Sequence, residues 1–366
     1  MIDVGSGSNV TFFDADGDGI KDLIIGNYGY YISNTSSPHQ ESTLTFFKNT
    51  TTGSVPSFSL ITTNFDSLSQ YNLTNIKPTF GDLDNDGDDD MIIGNSDGNL
   101  YYFVNTAGAG NPAAFTLAPN GINYQLIDVG SCSTPQLVDV DNDGLLDLII
   151  GESFGKVYYY RNTGNSSTAA YTFITNNFGG VDVTNPTYGS PFGYSVPHMY
   201  VENGQHKLMV GNENGYLFLY DNIDGNLAGN FNLVNNQAFY VYEPYRCSAD
   251  MEDLNGDGSP EIIVGNYAGG LSYYATSLTG VETAHSENNS VSVYPNPASD
   301  KVVVEFKNRT AKEHTIQIFD VPGKLITSVT SNQYKEIIKV NTLSKGIYFV
   351  KITGDENSVT KKIIVK

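Results

Sequence analysis

The chain has 366 residues, with 40 acidic against 19 basic side chains and a net charge of −21. That length holds two or three domains with real cores, and 39% hydrophobic and 12% aromatic residues exclude wholesale disorder. The acidic balance argues against nucleic acid, which wants a basic stripe, and no apolar run nears the roughly 18 residues of a membrane span.

In chain order, the N-terminus comes first. It carries neither a basic n-region nor an apolar h-region, so no signal peptide is visible. Ile2-Asp3-Val4-Gly5-Ser6 recurs as Ile127-Asp128-Val129-Gly130-Ser131, each just before an acid-rich segment. The chain thus begins at the end of a repeat unit. Either this segment completes the last unit and closes a five-membered ring, or further units precede Met1. The missing export signal favours the second.

Five segments then align: DADGDGIKDLIIG from Asp14, DLDNDGDDDMIIG from Asp82, DVDNDGLLDLIIG from Asp139, MYVENGQHKLMVG from Met199 and DLNGDGSPEIIVG from Asp253. Their closing glycines, Gly26, Gly94, Gly151, Gly211 and Gly265, are spaced by 68, 57, 60 and 54 residues. Such a period marks an array of equivalent units. Short β-branched and aromatic runs between Gly, Asn, Asp and Pro predict strands, four per unit, as in a propeller blade. The fold class expected is all-β. The glycines are expected at bends or close backbone approaches.

The acids have ligand spacing. Positions 1, 3, 5 and 9 are Asp14, Asp16, Asp18 and Asp22 in the first unit. They are Asp82, Asp84, Asp86 and Asp90 in the second, and Asp139, Asp141, Asp143 and Asp147 in the third. The fifth offers Asp253, Asn255, Asp257 and Glu261. Position 7, held by Ile20, Asp88, Leu145 and Ser259, adds a further oxygen, and a glycine at position 6 permits the turn. Calcium accepts six to eight oxygens in such irregular cages, and magnesium tolerates them less well. This is no EF-hand, because position 12 is Ile25, Ile93, Ile150 or Val264 where a glutamate is needed. The fourth unit has Met199, Val201, Asn203 and Lys207 at the ligand positions, so no metal is expected there.

The D-x-D-x-D-G-x-x-D-L-x-x-G pattern resembles the FG-GAP/VCBS repeats of integrin-type β-propellers, over residues 1–279. The resemblance implies that each loop joins the first and second strands of a blade and holds calcium. It also implies that ligands bind the opposite face. In the first unit, 12 extra residues separate Gly26 from Asn49, relative to the 11-residue spacing that reaches Asn105, Asn162, Asn222 or Thr276 in the others. This insertion falls between the second and third strands, on that opposite face. Tyr28, Tyr30, Tyr31 and His39 are its candidate ligand-binding residues, since aromatic faces stack on sugar rings.

Residues 1–286 hold 7 basic and 32 acidic side chains, whereas 287–366 hold 12 and 8. The reversal marks a domain boundary, with 280–288 as linker. Seven alternating runs follow, VSVYP, KVVVEF, TIQIF, KLITSV, EIIKV, IYFVKI and KKIIVK, and predict an Ig-like sandwich. VYPNPASDKVVVEF, IFDVPGKLI and LSKGIYFVKI…KKIIVK resemble the type A sorting domain of the Bacteroidota type IX secretion system, over 289–366. That resemblance implies export to the cell surface or medium, with the secretion machinery as partner.

No G-x-S-x-G, H-E-x-x-H or P-loop occurs. Cys132 and Cys247 fall at equivalent points two units apart and read as part-buried thiols in preference to a disulfide. The leading expectation is a secreted, calcium-holding propeller that binds carbohydrate or protein, in recognition or adhesion, without catalysis. The alternative is a polysaccharide lyase or hydrolase, or its accessory part. Basic residues clustered in the central channel would favour that alternative.

Overall fold

The computed structural model describes residues 4–32, 39–184, 191–275, 291–306, 314–320, 324–353 and 358–366. Ile2, Asp3, the expected linker 280–288 and residues 33–38 of the expected insertion lie outside them. The chain divides into two compact units, Met1–Ser277 and Leu278–Lys366. Both are β-structured.

Among the described residues, the first unit contains five antiparallel sheets of three or four strands and one two-stranded hairpin. The first sheet holds β1 (Asn9–Phe13) and β2 (Asp22–Gly26), then β5 (Thr45–Asn49) and β6 (Phe58–Thr62), with a separate hairpin of β3 (Tyr30–Ile32) and β4 (His39–Glu41) between them. The second holds β7 (Lys77–Gly81), β8 (Asp90–Gly94), β9 (Leu100–Asn105) and β10 (Phe115–Ile122). The third holds β11 (Thr134–Val138), β12 (Asp147–Gly151), β13 (Val157–Asn162) and β14 (Tyr171–Thr175). The fourth holds β15 (Val196–Glu202), β16 (Gln205–Gly211), β17 (Leu217–Asp221) and β18 (Asn232–Asn235). The fifth holds three described strands, β19 (Ser248–Glu252), β20 (Glu261–Gly265) and β21 (Leu271–Ala275).

Burial is greatest in the first two strands of a sheet and least in the fourth. The second strands of the four acid-loop sheets, such as DLIIG and EIIVG, are buried at every residue, which is why they read as apolar runs, whereas β16 of the fourth sheet begins exposed. The fourth strands β6, β14 and β18 face water along most of their length. The five first strands adjoin one another in a cycle: β1 meets β7, β7 meets β11, β11 meets β15, β15 meets β19, and β19 meets β1. The apolar clusters follow the same cycle. Ile24 and Phe46 pack with Met91 and Phe103 across the first and second sheets, and Val10, Leu23 and Phe47 pack with Leu254 and Ile263 across the fifth and first.

The repeated glycines occupy the seams of that cycle. A Cβ at Gly26, Gly94, Gly151 or Gly211 would lie 2.0–2.2 Å from the carbonyl oxygen of Ile76, Ser133, Ser195 or Cys247, the residue leading into the next sheet. At Gly265 it would lie 2.4 Å from the Ser8 carbonyl, which closes the cycle on the first sheet. Backbone cannot yield there as a side chain can. Gly211→Ala is expected to cost about 1–3 kcal/mol, read as a shifted midpoint in urea with unchanged slope.

The N-terminal segment is bonded to the fifth sheet. Val4 N–H donates to Gly269 O (3.5 Å), Gly7 to Tyr267 O (2.9 Å) and Ser8 to Asn266 O (3.0 Å). Val129, Val183 and Glu243 make the first of these bonds to Gly98, Gly155 and Gly215 within their own units. The start of the described chain thus does for the fifth sheet what a following segment does for the others.

In the second unit, β22 (Val291–Tyr294), β23 (Lys301–Phe306) and β26 (Lys335–Lys339) form one sheet. The other is β24 (His314–Asp320), β25 (Leu325–Ser331), β27 (Gly346–Thr353) and β28 (Ser358–Val365), in the order β25–β24–β27–β28. One core joins them, with Val302, Val304 and Ile338 from the first sheet against Ile316, Ile318, Val350 and Ile363 from the second. The seven strands coincide with the seven alternating runs of the sequence.

Candidate metal centre

Four loops join a first strand to a second strand through the nine-residue acid pattern. The position-1 carboxylate builds each turn. Asp14 accepts from the N–H groups of Gly17 (2.9 Å), Asp18 (3.2 Å) and Gly19 (2.8 Å), and Asp253 from Gly256, Asp257 and Gly258. Asp82 and Asp139 do the same for their loops. The position-6 glycine is left-handed throughout, with φ of 85° at Gly19 and 86° at Gly144. Position 5 then accepts the position-7 N–H, as Asp18 does from Ile20 (2.9 Å), Asp143 from Leu145 (3.0 Å) and Asp257 from Ser259 (2.9 Å).

Three carboxylates converge in three of these loops. One oxygen each from Asp14, Asp16 and Asp18 lies within 4.8 Å of the others, and so for Asp82, Asp84 and Asp86, and for Asp139, Asp141 and Asp143. Like charges this close repel by roughly 1–3 kcal/mol per pair. Asp16 Oδ1, Asp88 Oδ1 and Asp141 Oδ1 are moreover buried with no hydrogen-bond partner. Buried acceptors without donors, among hard oxygen atoms, are the chemistry a calcium ion satisfies. The residues present therefore fit the metal.

Two basic side chains, which motif spacing did not pick out, reach into these groups. Lys48 Nζ bonds to Asp16 and lies 2.8 Å from Asp18 Oδ2. Arg161 Nε is 2.6 Å from Asp141 and its Nη2 is 2.9 Å from Asp143. Both stand one residue before a recurrent asparagine, Asn49 or Asn162, which was the available signal. Val104 holds that place in the second unit, where Asp88 joins the acids instead. Burial, then the hydrogen bond with Asp86, raises the Asp88 carboxyl to about 6.

The position-9 carboxylates serve differently. Asp22 is fully buried and accepts from Ala15 N–H (3.0 Å) and Asn49 N–H (2.8 Å). Asp90 accepts from Leu83 N–H, Asn105 N–H and the Tyr102 hydroxyl, and Asp147 from Val140 N–H, Asn162 N–H and the Tyr159 hydroxyl. Glu261 accepts from Leu254 N–H and the Asn255 amide. They clamp the loop to the third strand or to its own start, outside the three-carboxylate groups. Burial raises Asp22, Asp90 and Asp147 each to about 6. The folded state then holds protons that the unfolded state has lost between about 4 and 6, so stability falls as pH climbs through that window. In chelator, the melting temperature is expected to be higher at pH 4.5 than at pH 7.

The fourth unit has a tight turn in place of the loop, with Glu202 paired to Gln205 and Asn203 and Gly204 left-handed. The charges there are exchanged: Lys207 Nζ lies 3.3 Å from Asp221, which stands where Lys48 and Arg161 stand elsewhere. His206 Nδ1 pairs with Asp224 at 2.6 Å.

At the opposite ends of the strands, Tyr28 is half-buried with its ring 6.1 Å from that of Tyr267. Tyr30 pairs across the β3–β4 hairpin with Glu41, and Tyr31 is 65% exposed. His39 pairs with Ile32 in the backbone, and its side chain lies outside the described residues. Cys132 and Cys247 are free thiols. Between the first strands, His198 Nδ1 lies 3.1 Å from Asp250 Oδ1, and Lys77 Nζ bonds to Val10 O and the Thr11 hydroxyl. Burial lowers both bases, Lys77 to about 8.

Residues 292–366 match the family described as secretion system C-terminal sorting domain. This part of the chain is a type IX sorting domain, and the protein is secreted or displayed on the cell surface. Among the described residues, no helix is long and apolar enough to cross a membrane. No curated protein matches the sequence. Among solved structures, the chain is similar to PorZ, a surface component of the type IX secretion system of Porphyromonas gingivalis, at 14% identity and a TM-score of 0.33. That match covers 98% of this chain and 59% of PorZ, so the chain spans less than two thirds of that protein. It is also similar to the GH32 β-fructofuranosidase BmSUC1 of Bombyx mori, at 11% identity and a TM-score of 0.42, over 99% of this chain and 89% of that one.

Proposed function

We propose that residues 1–279 form a five-bladed, calcium-holding β-propeller of FG-GAP/VCBS type that recognises an extracellular carbohydrate or protein. The sorting domain engages the secretion machinery and delivers it outside. Calcium would be held by Asp14, Asp16 and Asp18, by Asp82, Asp84, Asp86 and Asp88, and by Asp139, Asp141 and Asp143. The fifth loop, with Asp253, Asn255 and Asp257, is a weaker candidate because it has two carboxylates at these positions. Bound there, calcium supplies charge neutralisation and a fixed loop shape.

The observation that carries the reading is a division of labour between the two ends of the sheets. The acids gather in the loops from first to second strands, whereas exposed aromatics such as Tyr31, Phe154 and Tyr267 gather in the loops beyond the second strands. Loops that carry exposed aromatic rings and lack the three-carboxylate groups suit recognition of sugar or protein surfaces. The test is binding of the full chain, in calcium, to arrays of glycans and matrix proteins. Absence of any bound ligand on either array rejects recognition as the function.

An enzyme is the second reading, favoured by one constellation. His198 Nε2 is buried without a partner, and His198, Asp250 and Lys77 line one cavity between the first strands. Release of reducing ends or unsaturated products from polysaccharides would establish it.

A further inference from the structure

Five equivalent residues stand at the entries to the five first strands: Gly7, Asn75, Cys132, Tyr194 and Arg246. All are left-handed, with φ of 71, 55, 56, 45 and 41°. The residue after each donates its N–H to the turn beyond the preceding sheet's second strand, as Ser195 does to Glu152 O (3.0 Å) and Cys247 to Asn212 O (3.1 Å). All five line one small surface depression. Glycine and asparagine suit that conformation, whereas tyrosine and arginine adopt it at a cost, and such strain concentrates where side chains must be aimed.

Arg246 is held between rings. Its Cζ lies 3.4 Å from the Tyr194 centroid and 4.9 Å from that of Tyr267. The rings continue outward on both sides. Tyr267 meets Tyr28 at 6.1 Å, Tyr194 meets Phe192 at 5.7 Å, and Phe192 meets Phe154 at 5.5 Å. Five of the six other basic groups of this unit are engaged elsewhere: Lys21 near Asp89, Lys48 and Arg161 with acid loops, Lys207 with Asp221, and Lys77 with Val10 and Thr11, while the exposed Lys156 lies near Glu152. Three carboxylates neighbour Arg246: Glu152 accepts from the N–H groups of Phe154 and Lys156, Glu243 from Asn266 and Tyr274, and Glu213, whose backbone oxygen accepts from Arg246 N–H (2.7 Å), stands beside Tyr194.

We propose that this depression binds the carboxylated end sugar of a glycan, with Arg246 taking the carboxylate and the aromatic arc carrying the sugar faces. The inference rests on the recognition reading above and narrows it. Beside these two rings the guanidinium also hydrogen-bonds Tyr194, and its remaining N–H groups match the two oxygens of a planar carboxylate. Tyr28, Tyr267, Tyr194 and Phe192 then offer flat apolar surface to pyranose C–H faces. The excess of acidic over basic side chains in residues 1–286, 32 against 7, repels a polyanion and favours a chain end with one acid.

The test uses the full chain in calcium and oligosaccharides ending in a hexuronic acid, each paired with its carboxyl-reduced form and a sulfated neutral form. The acid form is expected to bind at least about tenfold tighter than the reduced form, since a charged bidentate contact is worth that much. Arg246→Asn should remove this preference while the melting temperature holds, because asparagine accepts the left-handed backbone. Arg246→Lys should not restore it, and Tyr267→Ala should weaken both forms together. Equal binding of acid and reduced forms, preference for the sulfated form, or an unaltered preference in Arg246→Asn overturns the inference and leaves recognition standing. Failure of the chain to bind any sugar overturns the inference; protein binding on the matrix array would still leave recognition standing.

Discussion

If calcium occupies the three acid loops, removing it is expected to lower the melting temperature of the protein by roughly 15–30 °C. Each site held at a hundred times its dissociation constant adds about 2.7 kcal/mol, so three sites add about 8 kcal/mol. A unit of this size shifts by about 2–4 °C per kcal/mol. The second loop should release its ion last. It has four acids, Asp82, Asp84, Asp86 and Asp88, whereas Lys48 and Arg161 must be displaced from the first and third. Equilibrium dialysis of Asp86→Ala should show one ion fewer per chain. An unchanged melt in excess chelator, with no ion retained, refutes calcium as a structural element.

Deleting residues 292–366 should abolish appearance of the protein outside the cell while the first unit stays folded. The tail has its own two sheets and its own core, and residues 4–275 have theirs. Immunoblots of medium and cell surface against the envelope fraction read the first outcome, and the calcium-dependent melt of the retained fragment reads the second. Undiminished export of the truncated chain shows that the tail is not the address.

The repeats and the tail strands were legible because both are written in local patterns. Alternating aspartates around Gly19, Gly87 and Gly144 make their turn from adjacent residues, and the seven tail strands alternate apolar and polar residues. Spacing could not tell what a carboxylate faces. Asp22, Asp90 and Asp147 keep ligand spacing yet spend their oxygens on backbone N–H groups. Lys48 and Arg161 look like solvated charges until strand pairing brings the third strand beside the loop. Arg246 belongs to no motif. Residues 7, 75, 132, 194 and 246 become neighbours only when five sheets are arranged in a cycle, a long-range fact that no window of sequence contains.

The bonds from Val4, Gly7 and Ser8 to residues 266–269 govern how this unit comes into being. An open solenoid can grow one repeat at a time, each resting on the last. A closed cycle has no such partial credit, because the seam between Gly265 and Ser8 forms only once both ends exist. Assembly of this unit must wait for residues about 260 positions apart, which predicts slow folding through high contact order and a single cooperative transition. During synthesis, residues 4–8 therefore stay without their bonding partners until residues 266–269 have emerged, and the sorting tail follows those residues.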